Sequence, residues 1–237
     1  MQHLLTGLLI LCSFTALQAI NQYKAGDKLY VLSTTGLFLR ESPDISSAKM
    51  MNLKNGAVLV VQKEDLKTYP FSVSEFTDYE LQGFWVKVMT WDNKTGYVFD
   101  AYLSHYQAPK KVILKDHIDE EFTLAEQYMM VHSKRRGKRV ELPIASEKFA
   151  HYKQTFINGA QIEVNIGEGY ASYSILFDKA TSLEEAYLIG RALWLDGKPA
   201  HIANEEDVIT MSNAENVRIA TVTLKNKVAL LTLISAD

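Results

Sequence analysis

Between Gly26 and Tyr106 the chain alternates apolar and polar residues in short runs broken by turn formers. A period of two fits strands and does not fit helices, because alternate side chains of a strand face opposite ways while helical faces repeat every three to four residues. The runs are Lys28 to Leu32, Leu37 to Arg40, Ala57 to Val61, Phe84 to Val88 and Gly96 to Val98. Strands this short and this closely spaced predict a small all-β barrel. Between the last two, Trp91-Asp92-Asn93-Lys94-Thr95-Gly96 supplies the Asn and Gly that a hairpin reversal favours.

Several pieces of this region carry a family pattern. Gly36-Leu37-Phe38-Leu39-Arg40-Glu41-Ser42-Pro43 is followed by Leu53 with Asn55-Gly56-Ala57, then by Gly83-Phe84-Trp85-Val86-Lys87-Val88, and finally by Gly96-Tyr97-Val98 and Tyr102-Leu103. In that order they resemble bacterial SH3-like domains, which places a barrel domain at residues 24–106. The resemblance implies a module that binds cell-wall peptides or proteins, often beside a catalytic domain, and does no chemistry itself. It makes Trp85 the central tryptophan of the barrel, part core and part groove, and Arg40 a structural hydrogen-bonding residue. Trp91, beside a turn, is the better candidate for an exposed ring.

The chain departs from the pattern between Gln62 and Gly83, where an insertion of residues 63–82 replaces a short turn. Loops of this length without structure of their own are uncommon and tend to be functional. This one carries Tyr69, Phe71, Phe76 and Tyr79. Exposed rings offer large contact area at low entropic cost, which makes these four, with Trp85 and Trp91, candidate ligand contacts. The competing reading is that the rings pack the insertion onto the barrel or against the rest of the protein.

The first nineteen residues hold an uncharged apolar stretch from Leu4 to Ala16 and end on the small residue Ala19. They read as a cleavable signal peptide, residues 1–19, and imply export to the periplasm or beyond. The stretch is shorter than a bilayer span, and nothing later in the chain is long and apolar enough to be one. Cys12, the one cysteine, lies inside this segment. The mature chain is therefore expected to lack disulfides, cysteine metal sites and thiol nucleophiles.

Gln107-Ala108-Pro109-Lys110-Lys111 opens a linker, placed at residues 107–113, before a second domain at residues 114–237. Ser182-Leu183-Glu184-Glu185 is a capping box that starts a helix, with Ser182 capping and Glu185 reaching back. Leu183, Ala186, Tyr187, Gly190, Leu193 and Trp194 share one face of it, and Asp196-Gly197-Lys198-Pro199 is its stop. Two hairpins surround it, Gln161 to Ile166 with Tyr170 to Phe177, and Val217 to Leu224 with Val228 to Ile234. Thr123-Leu124-Ala125-Glu126 and the stretch Ser146 to Asn158 are candidate helix starts. The fold class expected is mainly β, an N-terminal SH3-like small β-barrel plus a C-terminal α+β domain of antiparallel hairpins with one clear helix.

The chemistry such a second domain would need leaves few traces. There is no G-x-S-x-G elbow and no H-E-x-x-H helix. His105, His117, His132, His151 and His201 are not paired at metal-binding spacing, and His201 with Glu205, Glu206 and Asp207 reads as a solvated segment. No cofactor and no metal are expected. A net charge of −3 gives no global positive field, so nucleic acid is disfavoured as a partner. The one basic cluster, Lys134, Arg135, Arg136, Lys138 and Arg139, is a candidate anion-binding patch or a solvated hairpin turn between Tyr128 to Ser133 and Val140 to Ile144.

The leading expectation is an exported, non-catalytic binding or adaptor protein of the bacterial envelope, whose barrel binds a peptide, a peptidoglycan fragment or an envelope protein. Two rivals stand beside it. One is a hydrolase of unrecognised, non-cysteine type with its site in residues 114–237; the other is an inhibitor or structural subunit of an envelope complex.

Overall fold

The computed structural model describes residues 23–62, 68–76, 79–109, 125–129, 136–144, 150–177, 182–195, 199–205, 207–215, 217–225 and 228–236. The expected signal peptide lies outside them, as do His117, His132, Lys134 and Arg135. The described chain is mainly β, in two antiparallel eight-stranded sheets with one clear helix.

The N-terminal sheet contains β1 (Lys28–Val31), β2 (Leu37–Arg40), β3 (Lys49–Leu53), β4 (Val58–Val61), β5 (Tyr69–Phe76), β6 (Tyr79–Thr90), β7 (Thr95–Phe99) and β8 (Leu103–Ser104), with a 3-10 turn at Asp100–Tyr102. Its order is β3-β2-β7-β6-β4-β1-β8, and β5 pairs with β6. Every strand read from the alternation is present. The inward positions Leu29, Val31, Leu39, Leu59, Val61, Val88, Val98 and Leu103 are all buried. Asn93 takes the left-handed turn conformation at φ 59°, as the hairpin reading requires. Gly96 serves a different need, since a Cβ there would lie 2.6 Å from the Arg40 carbonyl oxygen across the β2–β7 pair.

The insertion is a hairpin where a loop was expected. Tyr69 to Phe76 pairs antiparallel with Tyr79 to Trp85 and thereby doubles the length of the tryptophan strand. Tyr69, Phe71 and Val73 alternate with polar neighbours, but Pro70 hides the strand signal; proline is tolerated because β5 pairs with one strand only and so lies at an edge.

The second sheet contains β9 (Arg136–Glu141), β10 (Ala150–Phe156), β11 (Gln161–Gly167), β12 (Tyr170–Leu176), β13 (His201–Glu205), β14 (Val208–Ser212), β15 (Arg218–Lys225) and β16 (Val228–Ala236), in the order β13-β14-β15-β16-β12-β11-β10-β9. Both expected hairpins form, β11 with β12 and β15 with β16. Three local expectations are corrected. The stretch Ser146 to Asn158 contains strand β10, not a helix, because Tyr152, Gln154 and Phe156 are buried at alternate positions. Residues 125–129 are helical, so Tyr128 does not open a strand before the basic cluster. From Arg136 that cluster is the edge strand β9 and not a turn.

Helix α1 (Leu183–Trp194) packs on β14, β15 and β16. Gly190 permits the close approach: a Cβ there would come within 2.7 Å of Leu231 Cδ1 and 3.1 Å of Met211 Cε. The capping box is half realised. Ser182 Oγ accepts from the Glu185 backbone N–H at 3.0 Å, but the Glu185 carboxylate turns away from the cap. Replacing Ser182 by Ala is expected to lower stability by about 1 kcal/mol, read as a shift of the urea midpoint at unchanged slope.

Candidate functional site

The site follows from one change of parity inside β6. Its C-terminal half turns Val86, Val88 and Thr90 into the interior of the N-terminal sheet, whereas its N-terminal half buries Tyr79, Leu81 and Trp85, which point the opposite way. No bulge intervenes in the pairing of Trp85 with Phe99 and of Lys87 with Tyr97, so these four share the outer face. Tyr79, Leu81 and Trp85 are thus outer-face residues that something else covers.

Part of the cover is the inserted hairpin itself. Phe71 packs on Trp85 and Phe99 with ring centroids 5.3 and 5.1 Å apart. The rest is helix α1. Tyr79 meets the Tyr187 ring edge-on at 5.1 Å. The Arg191 guanidinium donates to Glu75 Oε2 at 2.6 Å, and the Tyr102 hydroxyl donates to Glu75 Oε1 at 2.5 Å. Further along, Glu185 accepts from the Ser104 hydroxyl and from the His105 backbone N–H. Tyr106 and Phe177 continue the contact at 5.0 Å. With the sheet on one side and these groups on the other, α1 is buried nearly all round, Glu184, Glu185 and Arg191 included.

Beyond the helix the same outer face is open. Across β3, β2, β7, β6 and β5 it presents Lys49, Phe38, Tyr97, Lys87 and Tyr69, with Arg40 buried among them. Cations and rings interleave there: Lys49 Nζ stands 4.2 Å from the Phe38 ring centroid, Lys87 Nζ 6.0 Å from that of Tyr97, and Tyr69 meets Tyr97 edge-on at 6.4 Å. Arg40 lies between the Phe38 and Trp85 rings while donating to the Ser47 carbonyl at 2.7 Å, which matches its expected structural role. Rings held this way form a rigid, amphipathic contact surface that needs little reordering to bind.

The candidate residues therefore separate. Tyr79 and Trp85, each 4% exposed, are interior side chains and are not open to a ligand. Phe71 is half-buried against Trp85, Tyr69 is open, and the Phe76 side chain lies outside the described residues. Trp91, at 84%, is the most exposed large apolar side chain described, in the β6–β7 turn. In the basic cluster, Lys138 is exposed, while Arg139 donates to Glu141 at 2.6 Å and stacks 3.4 Å from the Tyr152 ring centroid. Phe38, Lys49, Lys87 and Tyr97 escaped the sequence reading as contacts; the outward parity of Phe38, Lys87 and Tyr97 was readable once Leu39, Val86 and Val98 were placed inside, whereas Lys49 lies on β3, which the alternation did not reveal. Among the described residues no three His, Cys, Asp or Glu side chains are gathered as a metal site, and no helix is long and apolar enough to cross a membrane.

This geometry, a short-stranded antiparallel sheet with its tryptophan strand at the centre, agrees with the family comparison. Residues 35–104 match the family model of the bacterial SH3 domain. The match covers less than a third of the chain and ends at β8, so the inserted hairpin falls within the SH3 segment and helix α1 outside it. No curated protein and no solved structure matches the chain. A bacterial SH3 domain points to a binding module.

Proposed function

We propose that the protein is an exported, non-catalytic binding or adaptor protein of the bacterial cell envelope, in which the SH3 segment holds a peptide, a cell-wall fragment or an envelope protein. The supporting observation is the open end of the outer face, where Phe38, Tyr69 and Tyr97 interleave with Lys49 and Lys87. Trp91 adds an exposed ring at the nearby turn. The domain division at residues 107–113 is part of the proposal in a modified form: Ala108 is buried and the Gln107 carbonyl accepts from the Tyr128 hydroxyl at 3.2 Å, so the linker begins packed.

The test is co-sedimentation of the chain with purified sacculi and, separately, pull-down from envelope extract. The variant carrying Phe38→Ala, Tyr69→Ala and Trp91→Ala is expected to lose at least tenfold in retention, because rings at a contact centre dominate binding energy. Their exposure predicts little change in unfolding midpoint. Undiminished retention by a folded triple variant removes this face as the binding site. The hydrolase reading has one observation in its favour, the buried carboxyl of Glu184, since perturbed acids cluster at active sites. Release of soluble fragments from sacculi by wild-type chain and its loss in Glu184→Gln would replace the adaptor reading with that one.

A further inference from the structure

The seam between the SH3 segment and helix α1 buries more negative than positive charge. Glu75 comes from β5, Asp100 from the 3-10 turn, and Glu184 and Glu185 from the helix; Arg191 is the guanidinium among them, and His105 Nδ1 stands 3.8 Å from Glu185. Taking an unpaired carboxylate out of water costs several kcal/mol, and such a group takes up a proton instead.

The donors decide which one. Glu75 accepts from Tyr102 and Arg191. Asp100 accepts from the Tyr23 hydroxyl at 2.7 Å and from the Phe84 backbone N–H at 2.6 Å. Glu185 accepts from Ser104 and from the His105 N–H. These three have the donors that an ionised carboxylate requires. Glu184 is served only in part: its own backbone N–H and Ser182 favour the ionised form, but its Oε2 is buried with no partner among the described residues, in the same seam as the Tyr79 hydroxyl, which has none there either. Burial raises the Glu184 carboxyl above its ordinary value; hydrogen bonds from its own backbone N–H and from Ser182 oppose the rise in part, and the charge on Asp100 adds the smallest contribution to it. The hydroxyls facing the seam, on Tyr23, Tyr79, Tyr102 and Tyr187, are pushed up by burial and stay protonated through neutral pH.

We propose that this seam is a proton-dependent clasp, closed while Glu184 is protonated and loosened when Glu184 ionises. The sign follows from linkage. In the opened or unfolded chain Glu184 loses its proton at the ordinary carboxylate range, and in the closed seam at higher pH. Closure is therefore complete below that range and weakens as pH rises, by up to tenfold in the opening equilibrium per pH unit, until Glu184 ionises in the closed form as well. The clasp does not depend on what the outer face binds.

Hydrogen exchange on the intact chain reads it directly. The His105 amide donates across the seam to Glu185 and reports on opening, while amides of β11, which lies in the second sheet away from α1, report on global unfolding. Corrected for intrinsic exchange, protection at His105 is expected to fall as pH rises above the ordinary carboxylate range in the wild type, by at most about tenfold per pH unit. In Glu184→Gln it is expected to stay level. A parallel fall in Glu184→Gln overturns the proposal. Carboxyl carbon NMR of the wild type gives a reading independent of any variant: one glutamate is expected to titrate above the rest, and titration of Glu184 with the surface carboxylates overturns the clasp.

Discussion

Replacing Arg191 by Met is expected to destabilise the protein by about 3–5 kcal/mol, the range for removing one partner of a buried ion pair. The reason is what remains behind. Glu75 and Arg191 have side chains only 12% and 8% exposed, and without the guanidinium the Glu75 carboxylate keeps, among the described residues, the Tyr102 hydroxyl as its donor. The double variant Glu75→Gln with Arg191→Met should recover most of the loss, since neither residue then carries a buried charge. The two partners are 116 positions apart in sequence and join the inserted hairpin to the helix. The single variant is therefore expected to uncouple the SH3 segment from the second sheet, splitting one urea transition into two. Urea unfolding followed separately by near-UV and far-UV circular dichroism checks both points. A loss below 1 kcal/mol in the single variant, or a double variant no better than it, would show that the pair does not hold the two parts together.

This contact was out of reach of the sequence for a definite reason. Alternation announces a strand because neighbouring residues carry the signal, and the strands of the SH3 segment were legible on that basis. The same holds for α1, whose serine cap and apolar spacing both lie within one short stretch. Whether Glu185 closes its own capping box or reaches across to Ser104 depends on a strand about eighty residues earlier. The aromatic insertion shows the same limit from the other side. Its rings were visible as a group, but Tyr79 and Tyr69 sit on one face of the sheet, whose far end lies beneath the helix and whose near end is open. Composition gives both rings the same prospects, and only the position of α1 tells them apart. The open contacts Lys87 and Tyr97 went unread because each was weighed as part of a strand, whereas their cross-strand pairing is what makes them a surface.

Gly83→Val carries the other large expected effect, a loss of about 3–5 kcal/mol, and it separates two reasons for a glycine. Gly83 lies inside the tryptophan strand β6, paired with Phe71, and glycine within a strand usually marks a bulge or a close approach. Its φ is not in the left-handed region occupied by Gly36 and Gly56, so backbone freedom is not the requirement. Space is. A Cβ at position 83 would collide with Asp100 Oδ1 and lie 3.0 Å from Phe99 Cε2 and 3.1 Å from the Ala101 nitrogen. Asp100 cannot give way freely, because that oxygen accepts from the Phe84 N–H and its other oxygen from Tyr23. Valine must displace a buried carboxylate from its donors or push β6 off the 3-10 turn, and the turn leads directly into Leu103 and Ser104 of β8. Thermal unfolding of Gly83→Ala, Asp100→Ala and the double variant tests the mechanism. If the collision with Asp100 dominates, the double variant loses clearly less than the sum of the singles, since removing the carboxylate frees the volume that the new methyl needs. Strict additivity would assign the glycine to the Phe99 ring and the Ala101 backbone instead.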